Sequence, residues 1–184
     1  MHFLKKHWGN LLLLLFIALL FIPQTGMPIK VLINRIVAFS PSALDEGETI
    51  ALKELDWSLM DLEGNQLDMA KSQGRVIVVN QWATWCPPCI AEMPSLERLY
   101  QEYGERVDFY FVSQEQPEKL SQFLIKKQWD LPVYIPRESP PAGMEGNSLP
   151  TTYLIDKNGT VRIRKTGSAK WDSKGVKELL DELL

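Results

Sequence analysis

The two cysteines of this 184-residue chain stand three positions apart, at Cys86 and Cys89 in the segment WCPPC. Two cysteines are too few for a framework of structural disulfides. A zinc site needs about four ligands, and the two histidines, His2 and His7, lie far away at the N-terminus. Covalent haem attachment requires a histidine directly after the second cysteine, where this chain has Ile90. The spacing therefore predicts a redox-active dithiol that opens and closes as a disulfide, with no metal ion and no cofactor.

The residues around the dithiol predict how the two thiols divide the chemistry. A predicted strand ends at residue 81 and a helical pattern begins at residue 87, so Cys86 is expected at a helix N-terminus. Helix N-termini stabilise thiolates, which makes Cys86 the expected nucleophile and the shielded Cys89 the resolving thiol. Pro87 and Pro88 supply no amide hydrogens to the Cys86 sulfur. Its pKa is therefore expected to be only moderately lowered, in the upper part of the range of about 3.5–7.5 for activated cysteines.

Hydrophobic periodicity predicts an α/β sandwich with mixed strand directions around this segment. The run at 75–81 is rich in β-branched residues, which is typical of a central strand buried on both faces. A polar turn at 63–66 predicts a hairpin that precedes this central strand, and a tight turn at 157–159 predicts a second hairpin. The other predicted elements are a helix at 87–103, a strand at 107–113, a helix at 117–128, strands at 151–156 and 160–165, and a closing helix at 172–184.

The chain before residue 49 has the features of a membrane-attachment region. Residues 8–29 carry no charge and contain an unbroken apolar run from 11 to 22, which with its flanks reaches the length that spans a bilayer. No good small-residue cleavage site follows, so residues 1–29 are predicted to be a signal anchor, with a cleaved signal peptide as the alternative. Residues 30–48 are predicted to be a juxtamembrane linker, and 49–184 the globular domain. The mildly acidic composition, with a net charge of −3, argues against a nucleic acid partner.

Two parts of the chain resemble a known family. Residues 78–89 (VVNQWATWCPPC) and 92–94 (EMP) are similar to the active-site segment of the TlpA/ResA-like, membrane-anchored thiol-disulfide oxidoreductases of the thioredoxin superfamily. Residues 149–156 (LPTTYLID) resemble the family's strand with a cis proline, here Pro150. The resemblance implies a thioredoxin fold, a central mixed sheet flanked by helices, with an N-terminal β-hairpin extension. It also implies thiol-disulfide exchange outside the cytoplasm.

The resemblance further implies roles for single residues. Thioredoxin has a buried aspartate six residues before its first cysteine, but this chain has Asn80 there, which cannot accept a proton. Glu92, one helical turn after Cys89, is therefore expected to accept the proton of the resolving thiol. Trp82 is expected to pack in the core. Substrate contacts are expected from the surface beside the dithiol and from the backbone at the cis proline, namely Trp85, Pro87, Pro88, Leu149 and Pro150.

The expected activity is the reduction of protein disulfides by a domain in the periplasm, or otherwise outside the cytoplasm, on a single-pass inner-membrane anchor. The resemblance implies re-reduction by a transmembrane electron donor of the DsbD/CcdA type, with cytochrome c maturation as one candidate role. A disulfide oxidase or isomerase is the alternative within the same chemistry. A non-catalytic thioredoxin-fold binding module of a membrane complex is the alternative outside it. A peroxidase fits less well, because the threonine and arginine surroundings expected of peroxiredoxins are not evident in the sequence.

Overall fold

The computed structural model describes residues 8, 11–14, 23–44, 49–52, 54–146 and 148–184. The strands are β1 (Ile50–Ala51), β2 (Ser58–Asp61), β3 (Gln66–Asp68), β4 (Val76–Gln81), β5 (Val107–Val112), β6 (Val133–Pro136), β7 (Thr151–Ile155) and β8 (Thr160–Thr166). The helices are α1 (Pro23–Val37), α2 (Pro87–Tyr103), α3 (Pro117–Lys127) and α4 (Lys174–Leu183), and a 3-10 turn (Met69–Ser72) follows β3.

These strands form one mixed sheet in the order β1-β8-β7-β4-β5-β6-β2-β3. β4, β5 and β6 run parallel to one another, and β7 and β8 continue the sheet antiparallel on the other side of β4. The β2–β3 hairpin extends the sheet beyond β6, with β2 antiparallel to it. Every residue of β4 is buried, as expected for a β-branched strand in the middle of a sheet. The dithiol segment therefore leaves the sheet at its centre.

Alternate residues of β4 point into two separate hydrophobic cores. Val76 and Val78 belong to the first core, to which α2, α3 and α4 all contribute buried side chains. Ile77 and Val79 belong to the second core on the opposite face, which includes Trp57 from the segment before β2. Because both faces of β4 are packed, the strand end and the helix that follows it are held in fixed positions.

The sequence predictions for the central elements are confirmed. α2 spans the predicted residues 87–103, and β4, β5, α3, β7, β8 and α4 agree with their predicted bounds within two residues. The predicted turn at 63–66 joins β2 to β3. β6 is not predicted by the sequence pattern. The described part of the proline-rich segment at 137–148 contains turns and no helix.

Most of the predicted signal anchor at 1–29 lies outside the described residues. Among the residues that are described, no helix combines the length and the apolar character needed to cross a bilayer. The predicted linker at 30–48 is helical in its first part, because α1 extends to Val37 and packs against α2. Beyond α1, the Phe39 carbonyl accepts a hydrogen bond from the Lys170 amide at 3.0 Å. This contact joins the segment to the loop between β8 and α4.

Candidate active site

Cys86 and Cys89 form a disulfide at the N-terminus of α2, with their Cα atoms 5.3 Å apart. Cys86 is the N-cap residue, and Pro87 and Pro88 occupy the first helical positions. The Cys89 amide donates a hydrogen bond to the Cys86 sulfur at 3.3 Å. Both cysteines are almost fully buried. The geometry agrees with the prediction that the two prolines leave the Cys89 amide as the first donor available to the nucleophilic sulfur.

The loop before Cys86 is held by a carboxylate that follows β5. Glu115 accepts hydrogen bonds from the Thr84 amide at 2.6 Å and from the Thr84 hydroxyl at 2.8 Å. Burial acts to raise the pKa of Glu115, but hydrogen bonds from Lys119 and Thr84 outweigh it and lower the pKa. Glu115 is therefore ionised at neutral pH, and it fixes the residue two positions before the nucleophile.

Glu92 lies on α2 one turn after the second cysteine and is only 1% exposed. Its Oε1 accepts hydrogen bonds from Asn80 Nδ2 at 2.8 Å and from the Thr152 hydroxyl at 3.5 Å. Its Oε2 accepts hydrogen bonds from the Ala169 amide at 3.1 Å and from Trp171 Nε1 at 3.0 Å. Burial raises the pKa of Glu92 from 4.5 to about 7, although these four donors oppose the rise. A carboxyl group with this pKa can take up and release a proton at neutral pH.

Asn80 stands where thioredoxin has its buried aspartate, and here it acts as a donor to Glu92. The residue is fully buried in β4. Its Nδ2 also donates to the Thr152 hydroxyl at 2.7 Å, while its Oδ1 has no hydrogen-bond partner among the described residues. The Asn80 amide thus stabilises the charged form of Glu92 and leaves Glu92 as the titratable member of this buried group.

Trp171 and the Ala169 amide are site components that the sequence does not reveal. Both lie in the loop between β8 and α4, far from Glu92 along the chain. Ser95 fixes this loop, because its hydroxyl donates to the Glu92 carbonyl at 2.7 Å and accepts a hydrogen bond from the Trp171 amide at 3.2 Å. A tryptophan in a loop belongs to no chemical motif, so only the three-dimensional contact identifies it.

Replacing Trp171 with phenylalanine is expected to raise the pKa of Glu92 by about one unit. The variant keeps an aromatic ring but loses the indole N–H donor. A hydrogen bond to a charged group contributes roughly 1.5–3 kcal/mol, and one pKa unit corresponds to about 1.4 kcal/mol, so the loss of this donor should raise the pKa by about one unit or slightly more. The measurement is the pH at which the resolving step reaches half of its maximum rate. Trp57→Phe is the matched control, because Trp57 is equally buried but donates to the Glu138 carbonyl at the other core. Equal midpoints for Trp171→Phe and the wild type would contradict the prediction.

Trp85, Pro87 and Pro88 form the surface beside the dithiol. Trp85 is 61% exposed, and both prolines are half-buried. Trp82 is buried and packs against Phe123, with the ring centroids 6.0 Å apart, which confirms its predicted place in the core. The role of Trp85 and of the two prolines in substrate binding stays a prediction.

The segment at the start of β7 meets the dithiol at the same end of the sheet. The Leu149–Pro150 peptide bond is cis, as predicted. Thr151, directly after it, pairs with Gln81 at the end of β4, and Leu149 packs against the core that includes both cysteines. The structure therefore brings together the two segments that carry the family resemblance, while a substrate contact at Leu149 and Pro150 stays a prediction.

A mixed sheet whose central strand leads into a buried CXXC dithiol at a helix N-terminus, close to a cis proline, defines the class of thioredoxin-fold thiol-disulfide oxidoreductases. The chain belongs to the AhpC/TSA family, whose model matches residues 50–164. The resemblance seen in the sequence is thus confirmed for the family, the fold and the enzyme class.

Individual relatives agree with this assignment. The chain is 34% identical over 117 residues to the thioredoxin-like protein YneN of Bacillus subtilis (strain 168), covering 61% of this chain and 69% of the relative. It is 35% identical over 116 residues to the thiol-disulfide oxidoreductase ResA of Geobacillus thermodenitrificans (strain NG80-2), covering 61% and 67%. A solved chain from Bacteroides vulgatus, assigned as a thiol-disulfide oxidoreductase, is 28% identical with a TM-score of 0.58, covering 71% of this chain and 94% of that one. A structure from Chlorobium tepidum, assigned as a DsbE, has a TM-score of 0.61 at 22% identity, covers 73% and 99%, and supports the fold alone.

Proposed function

We propose that the protein is an exported, membrane-tethered reductase of protein disulfides. A buried dithiol, followed one helical turn later by a buried carboxyl group with a pKa of about 7, carries the disulfide-exchange part of this proposal. The dithiol supplies two electrons to a substrate disulfide. The carboxyl group takes the proton that the resolving thiol must release inside the core.

In the proposed cycle, the Cys86 thiolate attacks one sulfur of a substrate disulfide. A mixed disulfide forms between Cys86 and the substrate, and one substrate thiolate leaves. Glu92 then accepts the proton of Cys89, and the Cys89 thiolate attacks the Cys86 sulfur. The second substrate thiolate leaves, so two electrons have passed to the substrate and the protein holds the Cys86–Cys89 disulfide.

The donors around Cys86 favour a reductant over a strong oxidant. A dithiol is strongly oxidising when its reduced form, which carries the thiolate, is well stabilised. Here Pro87 and Pro88 donate no hydrogen bond, and the Cys86 sulfur accepts one from the Cys89 amide at 3.3 Å. Weak stabilisation of the thiolate is expected to leave the pKa of Cys86 only moderately lowered, so the dithiol gives up its electrons more readily than that of a strong oxidant.

The reduction potential of the dithiol tests the direction of electron flow. We expect the full chain, equilibrated with redox buffers, to have a potential nearer to about −270 mV than to about −120 mV. The rate of Cys86 alkylation against pH is expected to give a pKa in the upper part of the range of about 3.5–7.5. A potential near −120 mV with a pKa near the bottom of that range would indicate a disulfide oxidase instead.

The proposed location is the extracytoplasmic side of the inner membrane, in the periplasm or its equivalent, with residues 1–29 as a single-pass tether. The apolar run at 11–22 supports the tether. Lys5 and Lys6 precede the run and Lys30 and Arg35 follow it, so the charge bias between the two flanks is weak, and the redox chemistry of the dithiol supports the exported orientation. The family resemblance supports a transmembrane donor of the DsbD/CcdA type and disulfide-bearing protein substrates, with apocytochrome c among them. A C-terminal fusion to alkaline phosphatase, which is active only after export, tests the topology.

A further inference from the structure

The outer side of α1 is an apolar face without a partner in the described part of the chain. Leu32, Ile33, Ile36 and Val37 are each more than half exposed, and so is Phe39 just beyond the helix end. At about 100° per residue, the four helical side chains fall within an arc of about 140°. Five large exposed apolar side chains within eight residues are more than the isolated exposed residues that soluble surfaces normally carry.

The edges of this apolar face carry positive charge. Lys30 and Arg35 are both exposed, and the helical spacing places one on each side of the arc that holds Leu32 and Ile36. An apolar face with lysine or arginine at its borders is the pattern of a helix that lies in the plane of a membrane interface. The long aliphatic stems lie against the apolar boundary while the charges reach the lipid headgroups.

The chain directly before α1 supports a lipid partner. The uncharged run from 11 to 22 leads into the helix, and Leu11, Leu12, Leu13 and Leu14 are themselves exposed. An apolar segment that inserts into the bilayer places α1 at the bilayer surface, so lipid contacts the apolar face without a protein partner. The flanking cations match anionic headgroups, whereas a second copy of this face would bring its own cations against them.

The inner side of α1 rests on the helix that carries the dithiol. Met27 and Val31 line a cavity of about 310 Å³ together with Ile90, the residue after Cys89. Leu32 and Arg35 also line this cavity, so they stand at the boundary between the inner and outer sides of the helix. The Ser168 hydroxyl also donates to the Asn34 carbonyl at 3.4 Å. The inner side of α1 therefore packs against α2, and its outer side exposes the apolar face. A surface bound to this outer side is held at a fixed orientation to the disulfide.

We propose that α1 lies in the interfacial plane of the membrane, with Leu32, Ile33, Ile36, Val37 and Phe39 against the acyl chains and Lys30 and Arg35 at the anionic headgroups. The helix then acts as a platform that holds the dithiol domain at a fixed height and orientation above the bilayer, not as a loose linker. Because the tether is itself proposed above, this inference about α1 rests on it, but it does not depend on the direction of electron flow.

The test places an environment-sensitive fluorophore on the full chain in phosphatidylcholine vesicles that contain phosphatidylglycerol as the minor component. The label is attached to Ile36→Cys while Cys86 and Cys89 are held as their disulfide. Asn158→Cys is the matched control, because Asn158 is exposed in the β7–β8 turn at the opposite end of the sheet. Brominated lipids report contact with acyl chains, and iodide reports contact with water. Thermal melting of both labelled variants checks that they fold like the wild type.

We expect the protein to float with the vesicles and the label at position 36 to be quenched several-fold more by brominated lipid than the label at 158, with iodide showing the reverse. If the protein floats but both labels are equally open to iodide, the tether stands and the inference about α1 fails. If position 36 is shielded from iodide without quenching by brominated lipid, a protein surface covers the face and the inference also fails. If the protein does not float, the tether and the inference fail together.

Discussion

Replacing Cys86 with serine is expected to abolish disulfide reduction. The rate should fall by a factor of about 10³ or more, because serine cannot form the attacking thiolate. Cys89→Ala should leave the first attack intact, since Cys86 keeps its place at the start of α2 and the loop contacts of Thr84 with Glu115. This variant should accumulate as a mixed disulfide with its substrate, detected by non-reducing gel electrophoresis and identified by mass spectrometry.

The double variant Cys86→Ser with Cys89→Ala is the control, because it keeps the surface of the site but cannot trap a substrate. Melting curves under reducing conditions compare the folds of all variants with that of the reduced wild type. Mixed disulfides that form in Cys86→Ser but not in Cys89→Ala would reverse the proposed roles of the two thiols. A Cys86→Ser protein that retains its cellular role would instead favour a binding module.

Replacing Glu92 with glutamine is expected to slow the resolving step about 100-fold, at the lower end of what general base catalysis contributes. Glutamine is nearly isosteric but cannot accept the proton of Cys89. In the wild type this step should rise with pH through about 7, where Glu92 loses its own proton. The variant should lack that inflection. Stopped-flow reaction of the reduced protein with an aromatic disulfide separates attack from resolution, because each step releases one coloured thiolate.

Glu97→Gln is the matched control, since Glu97 lies on the same helix but is only half-buried. It should leave both phases unchanged, and Glu92→Gln should leave the first phase nearly unchanged. A second phase that keeps its rate and its pH profile in Glu92→Gln would contradict the assigned role.

Glu92→Gln should also change how the free energy of unfolding depends on pH. Folding raises the pKa of Glu92 from 4.5 to about 7, so the folded state binds more protons than the unfolded state between these values. The oxidised wild type should therefore lose stability as the pH rises from about 4.5 to about 7, by an amount on the order of 3 kcal/mol, with the full loss present above 7. Urea denaturation at several pH values should show this decline in the wild type, and the decline should be absent from Glu92→Gln.

The central elements are predictable because their patterns are local. Four consecutive β-branched residues mark β4, and the apolar spacing of α2 continues up to Tyr103 without interruption. β6 escapes prediction because it is four residues long and ends in Pro136. α1 escapes it because Pro28 lies inside the helix. The stabilising contact of α1 with α2 is distant in sequence, and no local pattern reports it.

The candidate site likewise contains some residues that the sequence identifies and others that only the fold brings together. Composition and spacing are enough to identify the dithiol, and the helical spacing together with the family resemblance selects Glu92 as a candidate proton acceptor. The burial of Glu92, and the identity of its donors, depend on β4, β7 and the β8–α4 loop meeting over α2, which local sequence does not encode. Trp171 therefore enters the site only through the fold, and Asn80 gains a positive role as donor that its inability to accept a proton does not suggest.

The four donors to Glu92 have a consequence for the behaviour of the whole domain during turnover. A protonated oxygen of Glu92 can no longer accept every hydrogen bond that Asn80, Thr152, Ala169 and Trp171 direct at the carboxylate. A proton on Oε2 should therefore loosen the β8–α4 loop, because the Ala169 amide and Trp171 Nε1 both donate to that oxygen. The stretch at 168–170 in this loop also holds the end of the α1 segment. The state of two buried sulfur atoms should thus be detectable outside the site, as faster amide hydrogen exchange where the α1 segment joins the domain.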